Sequence, residues 1–283
     1  TADYDALFNK CYANMALAGN GGANGDCDID GLDGGTTGFV RQMFNANELP
    51  TDEAICCWGD EGIPAFNYNQ WGASHPMLKG FYYRLYFGVT MCNFYLTEAA
   101  DYNDTMTAEV RFLRALYYYH LMDCFGNIPF LTEVASEPAP QASRAEVYNF
   151  IETELLEIEG QMAAPLTNTY GRADQAAAWM LLARLYLNAE VYTGTAQWAK
   201  ASEYAQKIMN SGYKLHTTPK GDWSAYQMLF MGDNGENGAQ CEAILPLLQD
   251  GLTTTSWGTS LFLMASTFKA DMTMVGSATN GTT

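Results

Sequence analysis

Between Ala108 and Phe125 the chain reads AEVRFLRALYYYHLMDCF, a helical segment with apolar residues on nearly every face. Val110, Leu113, Tyr117 and Leu121 share one stripe at helical spacing, while Phe112, Leu116 and Tyr119 make other faces apolar too. A helix of this kind must be packed on several sides, so the chain needs a scaffold of further helices around it. The spacing predicts a helix over 108–125, with Thr107 as its cap and Glu109 at the positive end of its dipole. Gly126 ends it, and Pro129 lies just beyond.

The surrounding sequence supplies those helices. Ser143 and Glu146 have the spacing of a capping box, followed by a stripe of Val147, Ile151, Leu155 and Ile158 that Gly160 ends. A third helix is predicted over Asp174–Ala189. A fourth, after Thr195, places Trp198, Ala201, Ala205 and Ile208 on one face and stops near Gly212. Trp179, Leu182, Ala183 and Tyr186 match the W-x2-L-G-x2-Y spacing of a tetratricopeptide unit, with alanine in place of glycine. WAKASEYAQKI then reads as that unit's second helix, although the connection EVYTGTAQ is long for one. The first two helices form a looser pair across GNIPFLTEVASEPAPQA. Such pairs hide their apolar faces by stacking, and an antiparallel helix bundle has the same pattern.

Outside this region regularity falls away. Tyr4 to Ala18 can be a helix, and a helix over Leu78–Ala99 follows Pro76. Between them lie two irregular stretches, GNGGANGDCDIDGLDGGTTG and ELPTDEAICCWGDEGIPAFNYNQWGASHP. Loops of that length are commonly functional or disordered. After residue 213 only short apolar runs remain, Ala243–Leu248 and Leu261–Ala265. The whole reads as a single domain over 1–283, with N-terminal helices and binding loops over 1–100, a tetratricopeptide-like scaffold over 101–215 and an irregular segment over 216–283. Both ends look like the edges of a larger region.

Charge and motif content exclude several classes. The 32 acidic and 14 basic residues give a net charge of −18, which repels phosphate and speaks against nucleic acid as a partner. With 48% hydrophobic and 16% charged residues the chain is not of disordered type. No apolar run approaches the ~20 residues needed to span a bilayer. The seven cysteines are scattered without a CxxC pair and read mostly as buried small side chains, with a strained Cys56–Cys57 disulfide as an alternative. Asp26, Asp28, Asp30 and Gly31 begin a calcium-loop pattern, but Thr37 stands where the bidentate glutamate belongs. Calcium is therefore a minor alternative, beside a hydroxyl-binding loop or a solvated one, and no other cofactor is expected. GNGGANG lacks the third glycine of a dinucleotide fingerprint, and no nucleophile-elbow or zinc-helix motif occurs. His120 reads as a core histidine, and acid pairs such as Asp60–Glu61 do not by themselves identify a glycosidase.

One cluster fits ligand capture. Asp52, Trp58, Asp60, Tyr68, Asn69 and Trp71 fall within twenty loop residues. Aromatic faces suit the C–H side of a sugar ring, and planar acceptors suit its paired hydroxyls. The same tryptophans could instead pin the loop to the helices.

AEVRFLRALYYYHLMDCFGNIPF resembles the signature helix of the SusD/RagB-like proteins, surface glycan-binding lipoproteins of Bacteroidetes. NELPTDEA, GFYYRLYFGVTMCNFYL and GRADQAAAWMLLARLYLNAE…WAKASEYAQKI look like the same family in the same order, over about residues 1–265. The resemblance implies a mostly α fold, in which tetratricopeptide-like helix pairs form an α-α superhelical scaffold and long irregular loops bind ligand. It implies a non-enzymatic protein that captures oligosaccharides and delivers them to a SusC-like TonB-dependent outer-membrane transporter as its lid. It also implies a place on the extracellular face of the outer membrane, held by an N-terminal lipidated cysteine that this sequence lacks, in a chain of about twice this length. Within that reading Trp71, Trp58, Asp52, Asp60, Asp28 and Asp30 form the expected ligand surface, the tryptophans stacking and the carboxylates accepting hydroxyl protons. Arg111 and Arg114 belong to the scaffold and are expected to satisfy buried acids or carbonyls. The alternatives are a peptide-import lid of the same architecture and a protein-interaction scaffold that binds no sugar.

Overall fold

The structure, a computed structural model, describes residues 2–23 and 27–265. In chain order the helices are α1 (Ala2–Ala16), α2 (Phe39–Asn47), α3 (Ile63–Asn67), α4 (Pro76–Glu98), α5 (Asp104–Phe125), α6 (Arg144–Ile158), α7 (Gln175–Leu187), α8 (Ala189–Thr193), α9 (Trp198–Met209), α10 (Ala225–Met228) and α11 (Ser260–Ala265). The strands β1 (Ile128–Pro129) and β2 (Gln141–Ala142) pair antiparallel, Ile128 opposite Ala142. The fold is mostly α with tetratricopeptide-like helix pairs, as the resemblance implied. The chain divides into two compact units, one of residues 2–92 with 247–265 and one of residues 93–246, the boundary falling within α4.

In the second unit α5 is buried on nearly every side. Val110, Phe112, Leu113, Tyr117, Tyr118, Tyr119, Leu121 and Met122 are all core residues. Its cap is Asn103, whose side chain accepts from the Met106 N–H at 3.0 Å. Thr107, the expected cap, lies inside the helix and donates to the Ala100 carbonyl at 2.7 Å. A whole first turn precedes it, and an asparagine in extended backbone satisfies that turn's free N–H groups. Gly126 ends the helix at a φ of 76°, a left-handed conformation open to glycine without strain.

Arg111 and Arg114 converge on one carboxylate. Arg111 holds Glu154 of α6 through Nη2 at 2.6 Å and Nε at 3.2 Å. Arg114 holds the same carboxylate at 2.9 Å, and also reaches Asn93 and the Thr132 carbonyl at 2.9 Å each. On the other side of α5, Glu109 is 0% exposed and takes both Nη2 and Nε of Arg172, at 2.6 and 3.0 Å. Its role is this pairing, beyond the dipole effect expected of it.

The capping box of α6 forms as expected, and Val147, Ile151, Leu155 and Ile158 all face the core. Glu152 of α6 and Glu159, the residue that caps its end, then tie α7 to α9. Glu152 accepts from Tyr186 Oη at 2.8 Å and Lys200 Nζ at 3.1 Å. Glu159 accepts from Trp179 Nε1 at 2.8 Å and Lys207 Nζ at 3.0 Å. The rungs are seven residues apart on all three helices, two helical turns and ~10 Å of rise. Numbers rise along α6 and α9 but fall along α7, so α7 runs antiparallel to both.

The fourth helix turns differently from the expectation. Its buried stripe is Ala201, Tyr204 and Ile208, while Ala205 is exposed and Trp198 is 60% exposed. Tyr204 buries more apolar area than alanine, and it stacks at 5.6 Å on Tyr186 of α7. The third predicted helix divides at Asn188 into α7 and α8.

In the first unit α1 and α4 meet at Arg84, fully buried, which donates to Asn14 Oδ1 at 3.1 Å and the Ala18 carbonyl at 3.0 Å. Helices α2 and α3 lie in and beside stretches read as irregular. The buried residues of α2 are Phe39, Arg41, Gln42 and Asn45, three of them polar, although Phe39, Val40, Met43 and Phe44 recur at helical spacing. None of the seven cysteines is in a disulfide; Cys11, Cys56 and Cys92 are buried, Cys57 is exposed and the rest are half-buried.

Two acid-sensitive groups sit in the helical unit. Burial pushes the Glu154 carboxyl up, but Arg111 and Arg114 outweigh it and hold it below its ordinary value of 4.5. Its contribution is therefore present above that value and is lost as pH falls through the lower folded value. Glu154→Gln should cost about 3 kcal/mol in urea unfolding at neutral pH and make the fall in stability below about pH 4.5 shallower. Unchanged stability would show that the two arginines do not need the carboxylate. His120 is driven the other way: burial, and then the Arg184 charge, push its imidazole down to about 3. Its ring resonances should stay fixed between about pH 8 and pH 4 in NMR, where an exposed histidine would shift.

Candidate functional site

The site grows from α2. Gly38 starts this helix in extended backbone and carries no capping side chain. One turn on, Arg41 is 5% exposed and both terminal nitrogens of its guanidinium are engaged. Nη1 donates to the Gly35 carbonyl at 3.1 Å and Nη2 to Asp60 Oδ2 at 2.7 Å. The guanidinium also lies over two rings, 5.4 Å from the Trp58 centroid and 4.9 Å from that of Phe262. Phe262 meets Trp58 edge to face at 5.4 Å. Arg41, Trp58, Gly59 and Asp60 line an open recess of about 420 Å³.

The wall behind this recess is rigid for identifiable reasons. Trp58 packs against the buried cluster of Leu49, Cys56, Ile63, Phe66 and Met77. Asn67 braces the segment before Trp58, its Nδ2 donating to the Cys56 carbonyl at 2.7 Å and its Oδ1 accepting from the Cys56 N–H at 3.3 Å. His75 stacks on Phe66 at 4.4 Å. Its Nδ1 accepts from the Leu78 N–H, which leaves Nε2 to donate to the Gly62 carbonyl at 3.0 Å.

Trp71 rests on the same cluster through Phe66, at 6.1 Å between ring centroids, and is 45% exposed. Asn69, in left-handed backbone at a φ of 55°, donates to the Pro50 carbonyl at 3.2 Å. That bond ties the segment before Trp71 to the segment before Asp52, whose side chain is exposed.

The structure thus joins Trp58 and Asp60 at one recess and seats Trp71 on the cluster that backs it. Asp28 is drawn instead to α1 and α4, 2.7 Å from Lys10 Nζ and 3.7 Å from Arg84 Nη1. Asp30 is exposed in the turn before Gly31, and Asp26 lies outside the described residues. Among the described residues no group of three or more His, Cys, Asp or Glu could hold a metal ion.

Two contributors escaped the reading of the sequence. Arg41 was hidden because its partners Asp60, Trp58 and Phe262 lie outside its own helix. Trp257 is 50% exposed and sits beside the start of α2, its Cβ 3.4 Å from where a side chain on Gly35 would begin. More than 180 residues separate Trp257 from Trp71, so no local pattern could have joined them. The chemistry offered is two half-exposed indole rings near a recess whose exposed polar group is an acceptor carboxylate. The Arg41 guanidinium beside it is ion-paired with that carboxylate.

Residues 57–187 match the SusD-like proteins, described as starch-binding and associating with the outer membrane. The starch-binding protein SusD of Bacteroides thetaiotaomicron is 42% identical over 285 residues, 99% of this chain and 50% of that protein. Among solved structures, a SusD superfamily protein from Bacteroides vulgatus has a TM-score of 0.65 at 19% identity, over 91% of this chain and 51% of that one. A laminarin-binding SusD-like protein has a TM-score of 0.64 at 23% identity, over 87% of this chain and 50% of that one. These structures share the fold; the chain spans about half the length of the relatives it matches.

Proposed function

The chain belongs to the SusD-like family, and from that premise we propose that it is a glycan-binding protein that captures oligosaccharides at the outer membrane without transforming them. The observation that carries this reading is the recess at α2, where Trp58 and Asp60 stand together on a rigid apolar cluster that also seats Trp71. A sugar ring has an apolar C–H face and a rim of hydroxyl donors. Flat indoles match the first, and an anionic acceptor matches the second at charge-assisted strength. Asp30 and Asp52 are further exposed carboxylates of the proposed surface. Asp28 supports it by holding the Asp30 turn to Lys10. Arg41 is buried and ion-paired with Asp60, so it orients Asp60 and Trp58 rather than binding an anion.

In this reading the captured oligosaccharide passes to a SusC-like TonB-dependent transporter, over which the protein acts as a lid at the extracellular face, held there by a lipid anchor. The relative named for starch binding favours an α-glucan among possible ligands.

Calorimetry with maltoheptaose and laminarihexaose tests the site. Trp71→Ala and Trp58→Ala should each weaken binding about tenfold, the equivalent of about 1.4 kcal/mol for one lost stacking face. Trp198→Ala, exposed in the helical unit, should leave affinity unchanged. Undiminished affinity in both site variants, or no binding of either saccharide by the unaltered protein at millimolar concentration, would overturn the assignment. Isolation of the membrane-anchored protein with a TonB-dependent transporter would support the delivery role, and isolation without one would count against it.

A further inference from the structure

Gly38 and Gly258 touch backbone to backbone, which leaves no room for a Cβ on Gly38 and little for one on Gly258. Gly38 has a φ of −63° and a ψ of 146°, a conformation open to any residue, so strain does not explain the glycine. A Cβ on Gly38 would lie 2.5 Å from the Gly258 carbonyl oxygen and 3.0 Å from its carbonyl carbon and Cα. A Cβ on Gly258 would lie 3.1 Å from Gly35 O, Gly38 N and Gly38 Cα. Real Cβ atoms do not approach backbone at the shorter of these distances, and no flexible side chain is present to yield.

The contact has a second element. The first N–H groups of any α-helix lack partners within it, and a side chain at the residue before the helix usually takes one. Gly38 occupies that position in α2 and has no side chain to offer. The Gly258 carbonyl accepts from the Arg41 N–H at 3.1 Å instead. The cap of α2 is therefore supplied by backbone more than 200 residues away. Aromatic residues on either side of Gly258 lie against this region. Trp257 lies beside Gly35, and Phe262 lies 4.9 Å from the Arg41 guanidinium and 5.4 Å from Trp58.

We infer that the Gly38–Gly258 contact is a positioning device for the saccharide site: it caps α2, fixes Phe262 against Arg41 and Trp58, and fixes Trp257 beside Gly35. This rests on the reading of the recess as a saccharide site. The residues around Gly258 act through the rings they place, and the clasp itself need not touch ligand.

Capping and positioning can be separated. In Gly258→Ala the added methyl pushes the two backbones apart, and the Arg41 amide loses its acceptor. In Gly38→Ser the new hydroxyl can cap α2 from within, as serine commonly does, while its Cβ still displaces Gly258. Gly160→Ala, where a Cβ meets nothing within 4 Å, is the control. Hydrogen exchange should show the Arg41 amide about tenfold faster in Gly258→Ala, with the α9 amides unchanged. Calorimetry with maltoheptaose should show binding weakened about tenfold in both Gly258→Ala and Gly38→Ser, and unchanged in Gly160→Ala. Full saccharide affinity in Gly38→Ser, or unaltered exchange at Arg41 in Gly258→Ala, would overturn the inference. If the unaltered protein binds no saccharide, the reading of the recess fails, and the exchange result alone then decides whether the clasp exists.

Discussion

The carboxylates of α6 set the register of the helical unit. Glu154 receives Arg111 and Arg114 from α5, while Glu152 and Glu159 each receive an aromatic donor from α7 and a lysine from α9. Apolar stripes alone specify that helices pack, but not by how many turns one slides past the next. At Glu154 and Arg114, both largely buried, such a slip is costly because a displaced partner leaves an uncompensated charge out of water. The fork of Arg111 matches the planar carboxylate in a way that a lysine ammonium would not. The net gain from each pair is small once desolvation is counted; what the pairs provide is a single arrangement.

The candidate site follows a different rule. The recess at α2 has no regular frame of its own and is held by amide braces, a histidine stacked on phenylalanine and a backbone contact between glycines. These are short-range, directional contacts, suited to fixing ring faces where no helix pair does so. Arg41 links them, since one guanidinium meets Asp60, the Gly35 carbonyl, Trp58 and Phe262. Its charge is spent internally, so the surface it supports offers acceptors and ring faces without a net cation. A neutral, hydroxyl-rich ligand fits such a surface better than a phosphate or an acidic sugar does.

Legibility followed the source of each element's stability. The α6 capping box and its stripe were readable because both are local, fixed by residues three or four positions apart. Asn103 was missed as a cap because Thr107, four residues on, has the same chemistry and a helical sequence after it. Trp198 was placed inside because tryptophan is apolar, whereas the core space at that level is filled by Tyr204 stacked on Tyr186. Of the residues expected at the ligand surface, Trp58, Asp60 and Trp71 gather around one cluster, and Asp28 serves an ion pair with α1. Sequence proximity brought the first three together; it could not show that Lys10 would claim the fourth.

By itself the sequence determined that this chain is a stacked helical protein, that Arg111 and Arg114 must find partners, and that its aromatic loops carry the flat surfaces. Those conclusions rest on periodicity, desolvation cost and residue type, which act over a few positions. Only the tertiary structure decided that Arg41 of α2 is buried, that Glu154 is the shared partner, and that Phe262 returns to Arg41 and Trp58. Each of these depends on contacts between residues far apart in the chain, and such contacts leave no trace in local spacing. Their physical basis is close packing, in which a glycine 220 positions away can be the only residue that fits.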